Sequence, residues 1–339
     1  MRKIYIPLNI TAFASIVSIS LTPALAHHSD AGYDEKNILS IQGTVVRYVW
    51  RNPHVTTYIE VEQENGETVE WAIETGSTPI MSRSGWTPDM LKPGDAVSVR
   101  AHPDRNPDRK MAMMISTETP DGKLWIQDES DYEGSDIASS IAGIWKGRTS
   151  TLGPFMEKLV ATPLTDAGAQ AKASYNYVTD SPIAECISPP TPRILTATAV
   201  YLTDIEILDD RVNIRNEFFD NERIVYTDGR DHPENGERTV QGHSIGHWEG
   251  DTLVVDTRLF ADNRAPYSDG VPSGAQKHTI ERFSLVEEGK RLEIDVFLED
   301  PEYFAESFSA TLQWDFTPKL KMYRYNCDPE LSATGQFSG

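Results

Sequence analysis

The sequence predicts an all-β protein made of two successive β-barrels. Short segments rich in β-branched and aromatic residues recur along the 339 residues, and many of them alternate apolar with polar side chains, which is typical of half-buried strands. Tight turns such as Asn65-Gly66 separate the segments, because both residues tolerate positive φ. An acidic linker at 127–139 divides them into a first domain at 27–126 and a second at 140–330.

The first block of segments is typical of an OB-like barrel. Five short strands fall within about 90 residues, which suits that five-stranded fold. Thr87 and Pro88 form a helix-start pair, because threonine caps a first turn and proline fits its first position. We therefore expect one short helix at 87–91. The strands are predicted at 41–50, 55–61, 68–73, 96–100 and 111–116.

The second block predicts a larger antiparallel barrel. Short turns join most of its strands, so sequence neighbours should pair antiparallel, and closure removes exposed edges. Its opening Gly143-x-Trp145 is similar to the first strand of lipocalin-like barrels. Residues 154–173 have a partly helical pattern, and 182–192 form a Pro-rich loop. Strands are predicted at 141–147, 203–208, 211–219, 222–227, 244–248, 252–257, 278–285, 291–297, 307–314 and 321–325.

Residues 1–26 have the pattern of a cleavable secretory signal peptide. Arg2 and Lys3 precede a mostly apolar run, and Ala24 and Ala26 occupy the small-residue positions before the cleavage site. The apolar run is too short to span a bilayer. We therefore expect a periplasmic protein whose mature chain begins at His27.

Charge argues against two classes of partner. The formal net charge is −21, and it becomes −23 once Arg2 and Lys3 leave with the signal peptide. A strongly acidic surface repels the phosphates of nucleic acids and of anionic lipids. No second long apolar run follows the signal, so we expect neither nucleic-acid binding nor membrane insertion. These patterns do not predict the oligomeric state.

The chain has two cysteines, Cys186 and Cys327. In an exported protein, oxidation is favoured, so we expect a disulfide between them. The alternative is a pair of buried free thiols. A bridge would close a loop of about 140 residues, which contributes about 4–5 kcal/mol in the chain-entropy description.

The first block contains the motifs His27-His-Ser, Gly43-Thr-Val, Asn52-Pro-His-Val, Trp71-x-Ile-Glu, Gly85-Trp-Thr and Leu91-Lys-Pro-Gly-Asp95. As a set they resemble DUF6152, an exported bacterial family of unknown function. The second block is similar to a segment often fused to such domains, although His247 stands where an arginine is expected. The resemblance implies export and a shared architecture, and no reaction. The matching stretches of the second block are 226–234, 242–256, His278-x-x-Glu-Arg282 and Glu299-Asp-Pro-x-Tyr303.

The mature N-terminus is a candidate copper site. Cleavage after Ala26 would leave His27 with a free α-amine and an imidazole nitrogen, and His54 could supply a third nitrogen. Copper binds imidazole tightly, so this set predicts a histidine brace. The alternative is that His27 is a solvated terminus and His54 an ordinary residue at the barrel rim. Zinc would need a fourth strong ligand, which the pattern does not provide.

A second candidate site lies on the later strands of the second block. Period-two alternation places His243 and His247 on one face of their strand, and it places Glu281 opposite His278 and Arg282. Buried polar groups need partners or a ligand. The set predicts either a pocket in the barrel interior, oriented by His243, His278, Asp256 and Arg282, or a structural hydrogen-bond network. The predicted catalytic residues are His243, His278, Asp256 and Glu281, and the predicted ligand-binding residues are Arg282, His247 and Trp248.

Other motifs argue against common enzyme classes. Gly242-x-Ser244-x-Gly246 matches the spelling of a hydrolase nucleophile elbow, but no helical pattern follows it. A chance match inside a β-hairpin is the better interpretation. The sequence has no His-Glu-x-x-His motif and no Gly-rich phosphate loop.

The leading hypothesis is a barrel that binds a small apolar or aromatic molecule. The barrel would either carry the molecule or convert it by acid–base chemistry in the style of an isomerase or hydro-lyase, with a histidine tuned by a carboxylate. The alternative hypothesis is copper binding at His27 and His54.

Overall fold

A computed structural model describes the two barrels and most of the segments around them. No helix in the described ranges is long and apolar enough to cross a membrane. The predicted signal peptide, His27 and His28 lie outside the described residues. Those residues are 32–127, 132, 134–176, 180, 182–262 and 270–329.

The N-terminal barrel has the strand connectivity of an OB fold. Its elements are β1 (Leu39–Val49), β2 (Thr56–Glu62), β3 (Thr68–Glu74), α1 (Thr78–Arg83), β4 (Ala96–Pro103), β5 (Met111–Glu118) and β6 (Leu124–Ile126). Strand β1 pairs antiparallel with β2 and β4, and a parallel pairing of β3 with β5 closes the ring. The predicted OB-like barrel is confirmed, and β6 extends it beside β5.

Alternation along the strands produces the core of this small barrel. Val97, Val99 and Ala101 on β4 are buried, because successive side chains of a strand point to opposite faces. Gly66 has a φ of +84°, as the predicted tight turn requires. Local pattern therefore predicts the strands of this barrel.

The helix of the small barrel was predicted in the wrong place. The helix is α1, which starts with Thr78 and Pro79, whereas 87–91 contains only a turn in which the Met90 amide donates to the Thr87 carbonyl (3.2 Å). Pro93 disfavours a helical conformation at the residue before it. A helix that began at Thr87 would therefore have to end before Lys92, within about two turns.

The C-terminal barrel contains nine strands. Helices α2 and α3 confirm the helical pattern predicted at 154–173. The elements are β7 (Gly143–Gly147), α2 (Thr149–Ala161), α3 (Asp166–Ser174), α4 (Arg193–Thr196), β8 (Thr203–Ile207), β9 (Arg211–Asn216), β10 (Asn221–Tyr226), β11 (His243–Glu249), β12 (Thr252–Arg258), β13 (His278–Val286), β14 (Arg291–Glu299) and β15 (Phe308–Phe316).

The nine strands close into a barrel in the order β10-β11-β12-β13-β14-β15-β7-β8-β9. All neighbours pair antiparallel except β10 and β11, where Val225 lies opposite Ser244 in a parallel register. The expectation of a fully antiparallel barrel is wrong at this point, because an odd number of strands cannot close with only antiparallel pairs. The connection 227–242 makes the crossover that a parallel pair requires.

One predicted strand, 321–325, does not form. Its backbone binds carboxylate side chains instead of a neighbouring strand: the Tyr323 amide donates to Glu217 (2.6 Å), and the Tyr325 amide donates to Asp220 (3.0 Å). These hydrogen bonds satisfy the two backbone amides, so the segment does not need to pair with a neighbouring strand.

The two barrels are joined by a buried ion pair. Arg83 on α1 donates to both carboxylate oxygens of Glu217 (2.7 and 2.6 Å) and to the Val200 carbonyl (2.6 Å). The Glu217 side chain is fully buried. Ile80 of the same helix packs into the core of the large barrel, so α1 links the two units.

The predicted disulfide between Cys186 and Cys327 is confirmed, with the two Cα atoms 5.8 Å apart. It ties the loop that follows residue 182 to the segment after the last strand. A disulfide suggests an oxidising, exported environment. The periplasm itself remains a prediction.

Candidate functional site

The predicted histidines and aspartate come together on the outer face of the large barrel. Thr257 and Thr279 are fully buried, so the adjacent Asp256 and His278 point away from the interior. His243 on β11 shares this outer face. The prediction that these side chains, together with Arg282, line the barrel interior is therefore wrong.

A fourth residue, His232, joins these three into a continuous chain of hydrogen bonds. His232 Nε2 lies 3.0 Å from Asp256 Oδ1, and His278 Nε2 lies 3.0 Å from Asp256 Oδ2. His232 Nδ1 lies 2.9 Å from His243 Nδ1. We call the four residues His232, His243, Asp256 and His278 the outer cluster. The ring of Tyr226 stacks on His243, with centroids 5.4 Å apart.

The electrostatics of the outer cluster favour an ionised carboxylate and a neutral base. Burial raises the pKa of Asp256, but hydrogen bonds from His278 and His232 and the positive charges of His278 and Arg258 outweigh burial and lower it to about 2. The pKa of His243 is lowered by burial and by the positive charges of His232 and Arg230. His243 is therefore a base that stays unprotonated in neutral solution.

The remaining predicted site residues do not join the outer cluster. Arg282 shares the outer face and pairs with Glu249 (2.7 Å). His247 contacts the same glutamate (3.2 Å), and Trp248 is 40% exposed. Glu281 lies on the face of β13 opposite Arg282, as predicted, but that face is the interior rather than the exterior.

The interior holds a second polar group of side chains. Arg223 Nη1 donates to both carboxylate oxygens of Glu281 (3.0 and 2.7 Å) and to the Thr191 hydroxyl (3.0 Å). Arg223 is 4% exposed, and its Nη2 has no hydrogen-bond partner among the described residues. We call Arg223, Glu281 and Thr191 the inner cluster.

A small cavity adjoins Arg223. It has about 10 Å³ for the centre of a water molecule, which is about the room that one water needs. Elsewhere Trp145 and Phe283 fill the interior. The cavity is lined by Ile194, Leu195, Thr198, Thr203, Ile214, Asn216, Asn221, Arg223 and Trp314.

Lys277 adds a further buried charge at the start of β13. Its Nζ lies 3.2 Å from the Ser273 hydroxyl and 3.9 Å from the centre of the Phe260 ring. Burial lowers the pKa of Lys277 to about 7, against the opposing effect of Asp300 and Glu281. Charge inside this barrel is therefore not confined to the inner cluster.

Sequence reasoning missed His232 and Arg223. His232 lies in Asp231-His-Pro-Glu234, which reads as an isolated turn because nothing local shows that it folds back onto β11 and β12. Arg223 lies on the same face of its strand as Asn221 and Val225, and this spacing of two was the available signal for an inward-facing guanidinium.

The hydrolase motif and the metal hypothesis have separate outcomes. Ser244 is buried within β11, where its hydroxyl contacts the Thr257 hydroxyl (2.8 Å), so it is not a nucleophile on an exposed elbow. Within the described ranges, no group of three or more histidine, cysteine or acidic side chains is arranged to hold a metal. His54 Nδ1 donates to the Thr75 carbonyl (2.8 Å).

Comparison with known families concerns the small barrel. Residues 14–112 match DUF6152, a family of unknown function. The resemblance expected from the sequence motifs is confirmed. The DUF6152 match includes His54 and ends within β5, so the outer and inner clusters both lie beyond it.

Other comparisons add little. No curated protein matches the sequence. Among solved structures, a crystal structure of a mutant of the fluorescent protein UnaG is similar at 14% identity, over 52% of this chain and 96% of that chain, with a TM-score of 0.26. The barrel assignment rests on the strand order described above.

Proposed function

We propose that the large barrel binds a small anionic molecule at the inner cluster. The observation that supports this proposal is the buried Nη2 of Arg223, which has no acceptor among the described residues, on a residue that lines the cavity. A buried donor without a partner is costly, and a ligand oxygen would remove that cost.

The chemistry of the cavity favours a carboxylate. Guanidinium groups bind carboxylates through strong charge-assisted hydrogen bonds. The side-chain amides of Asn216 and Asn221 lie in the same lining, beside Ile214 and Trp314. A short-chain carboxylate would place its oxygens at Arg223 and its carbons against the apolar side chains.

The size of the cavity limits the ligand. The cavity has room for one water, so the lining side chains must shift when a carboxylate enters. The proposed ligand is therefore a small anion, and not the apolar or aromatic molecule expected from the sequence. The proposed role is binding. Three of the four acid–base residues expected to convert the ligand, His243, Asp256 and His278, face outward, and the fourth, Glu281, is paired with Arg223.

Titration with butyrate, compared with neutral butyramide, tests the proposal by calorimetry or amide NMR shifts. Wild-type protein should bind butyrate more tightly than butyramide. Ile214→Phe fills the cavity, at a folding cost of about 1–3 kcal/mol, and should weaken butyrate binding at least tenfold. Ile224→Phe, on the half-exposed outer face of β10, is the matched control and should bind normally. Equal affinity for both compounds, or unchanged binding by Ile214→Phe, would contradict an internal anion site.

Copper binding at the mature N-terminus is the second candidate, and the geometry of His54 favours it. A carbonyl only accepts, so His54 Nδ1 carries the proton donated to Thr75 and Nε2 keeps a lone pair. Metal-binding histidines commonly show this arrangement. The Tyr33 hydroxyl donates to Glu74, the residue before Thr75, so the chain that follows His27 reaches the same edge of the small barrel.

A comparison of two N-termini tests the copper proposal. Protein that starts at His27 should bind Cu(II), and a form with one additional N-terminal alanine should lose most of that affinity, because His27 then lacks the free amine. His54→Ala should weaken binding in the first form only. Equal binding by both forms would exclude the brace.

A further inference from the structure

We propose that the outer cluster is a general-base site that hydrolyses small carboxylic esters, with His243 as the base. It is a different site from the inner cluster, on the outer side of the barrel wall, and the two clusters share only strand β13. The proposal therefore goes beyond ligand binding in the barrel.

The order of hydrogen-bond donors fixes where the protons lie. The ionised Asp256 can only accept, so His232 donates to it through Nε2–H. In the state with a neutral His232, its Nδ1 carries a lone pair, and a proton on His243 Nδ1 fills the 2.9 Å contact between the two rings. The Nε2 of His243 is left with a lone pair at the end of the chain.

Neighbouring groups hold this base in place and stabilise it after it takes a proton. The Tyr226 ring stacks on His243 with an angle of 26° between the planes, which fixes the orientation of the imidazole. A proton gained at Nε2 makes His243 positive, and the carboxylate of Asp256 stabilises that charge through His232. This is the role of the aspartate in hydrolytic triads, extended here by one histidine.

A cation stands beside the base. Arg258 lies directly opposite His243 in the register of β11 and β12, and side chains at such positions have Cβ atoms about 4.5–5.5 Å apart. Arg258 Nε lies 3.3 Å from Asp256 Oδ1, and the side chain is 54% exposed. A half-exposed guanidinium at this position can stabilise negative charge on a substrate carbonyl oxygen.

The hydrolytic step follows from these positions. His243 Nε2 takes a proton from water while the water oxygen bonds to the acyl carbon, and the carbonyl oxygen becomes negative beside Arg258. The carbonyl then re-forms as the bond to the leaving alcohol breaks. The proton on His243 passes to the alcohol, or to solvent when the leaving group is a stable anion.

Hydrolysis of 4-nitrophenyl acetate, followed by release of nitrophenolate, tests the proposal. His243→Ala and Asp256→Asn should each lower kcat/KM at least tenfold, since general-base catalysis contributes about 10²–10⁴-fold. The control is His102→Ala on the small barrel. His102 Nδ1 donates to the Asn37 carbonyl (2.9 Å), so its Nε2 also carries a lone pair. The partner of its Nδ1, however, is a backbone carbonyl rather than a histidine–carboxylate chain. This variant should keep the wild-type rate.

Two further readouts separate a base from other roles. The wild-type rate should fall as pH drops through the lowered pKa of His243, and hydrolysis should be about two- to threefold slower in D₂O, as expected for a proton in flight. Equal rates in all variants would overturn the proposal. An isotope effect near one, with a trapped acyl-histidine, would show nucleophilic attack and would also overturn it. Circular dichroism of each variant confirms folding.

Discussion

The two faces of strand β13 place ion pairs of equal length in opposite surroundings. On the inner face, Glu281 lies 2.7 Å from Arg223, with side-chain exposures of 0% and 4%. On the outer face, Arg282 lies 2.7 Å from Glu249, and both side chains are about half exposed. Distance is the same, so surroundings decide what each pair contributes. The inner face determines stability, whereas the outer face leaves its groups accessible to substrate.

Removing one partner of each pair gives the largest expected difference between the faces. Glu281→Ala leaves Arg223 buried without its counter-charge and should lower the free energy of unfolding by about 3–5 kcal/mol. Glu249→Ala removes an exposed pair and should change it by about 0–1 kcal/mol. Urea unfolding at neutral pH measures both. Similar losses in the two variants would show that burial does not distinguish the pairs.

The disulfide gives the second largest expected effect, because it holds the loop that completes the inner face. That loop contains Cys186 and also Thr191, whose hydroxyl accepts from Arg223. The double change Cys186→Ser with Cys327→Ser should lower the free energy of unfolding by about 2–5 kcal/mol. It should also weaken butyrate binding at the inner cluster.

Ester hydrolysis provides the matched control for the disulfide variant. The outer cluster receives no residue from this loop, so the hydrolytic rate of folded protein should stay the same. A variant that keeps wild-type stability, or that loses hydrolysis and binding together, would contradict a role confined to the inner face.

Strand positions could be predicted from the sequence because alternation is local. The order of the barrel strands could not be predicted in full. The parallel pair of β10 and β11 depends on where the crossover 227–242 folds, which no local pattern encodes. The same limit hid His232, since its partners are 11 and 24 residues away along the chain.

Alternation also shows which residues share a face but not which face is inside. In a sequence, small hydroxyl residues such as Ser244 and Thr257 are typical of outward-facing strand positions. In the structure they are buried, and their hydroxyl oxygens lie 2.8 Å apart. His243 and Asp256 were therefore assigned to the wrong side of a correctly predicted hairpin. The hydrogen bond between the two hydroxyls offsets the cost of burying them. It can be seen only once the two strands are paired.

The smallest expected effect concerns the outer face and its dependence on pH. The pKa of Asp256 is about 2, below its ordinary value of 3.8, so the folded state binds this proton less readily than the unfolded state. Its contribution to stability is complete above about pH 4 and is lost as pH falls toward 2. Because Asp256 is one-third exposed, solvent reduces the contribution. Urea unfolding of wild type and Asp256→Asn between pH 6 and pH 2 should show a small difference that disappears at the acidic end. Curves that stay parallel over this range would show that the hydrogen bonds from His232 and His278 do not stabilise the folded protein through the charge of Asp256.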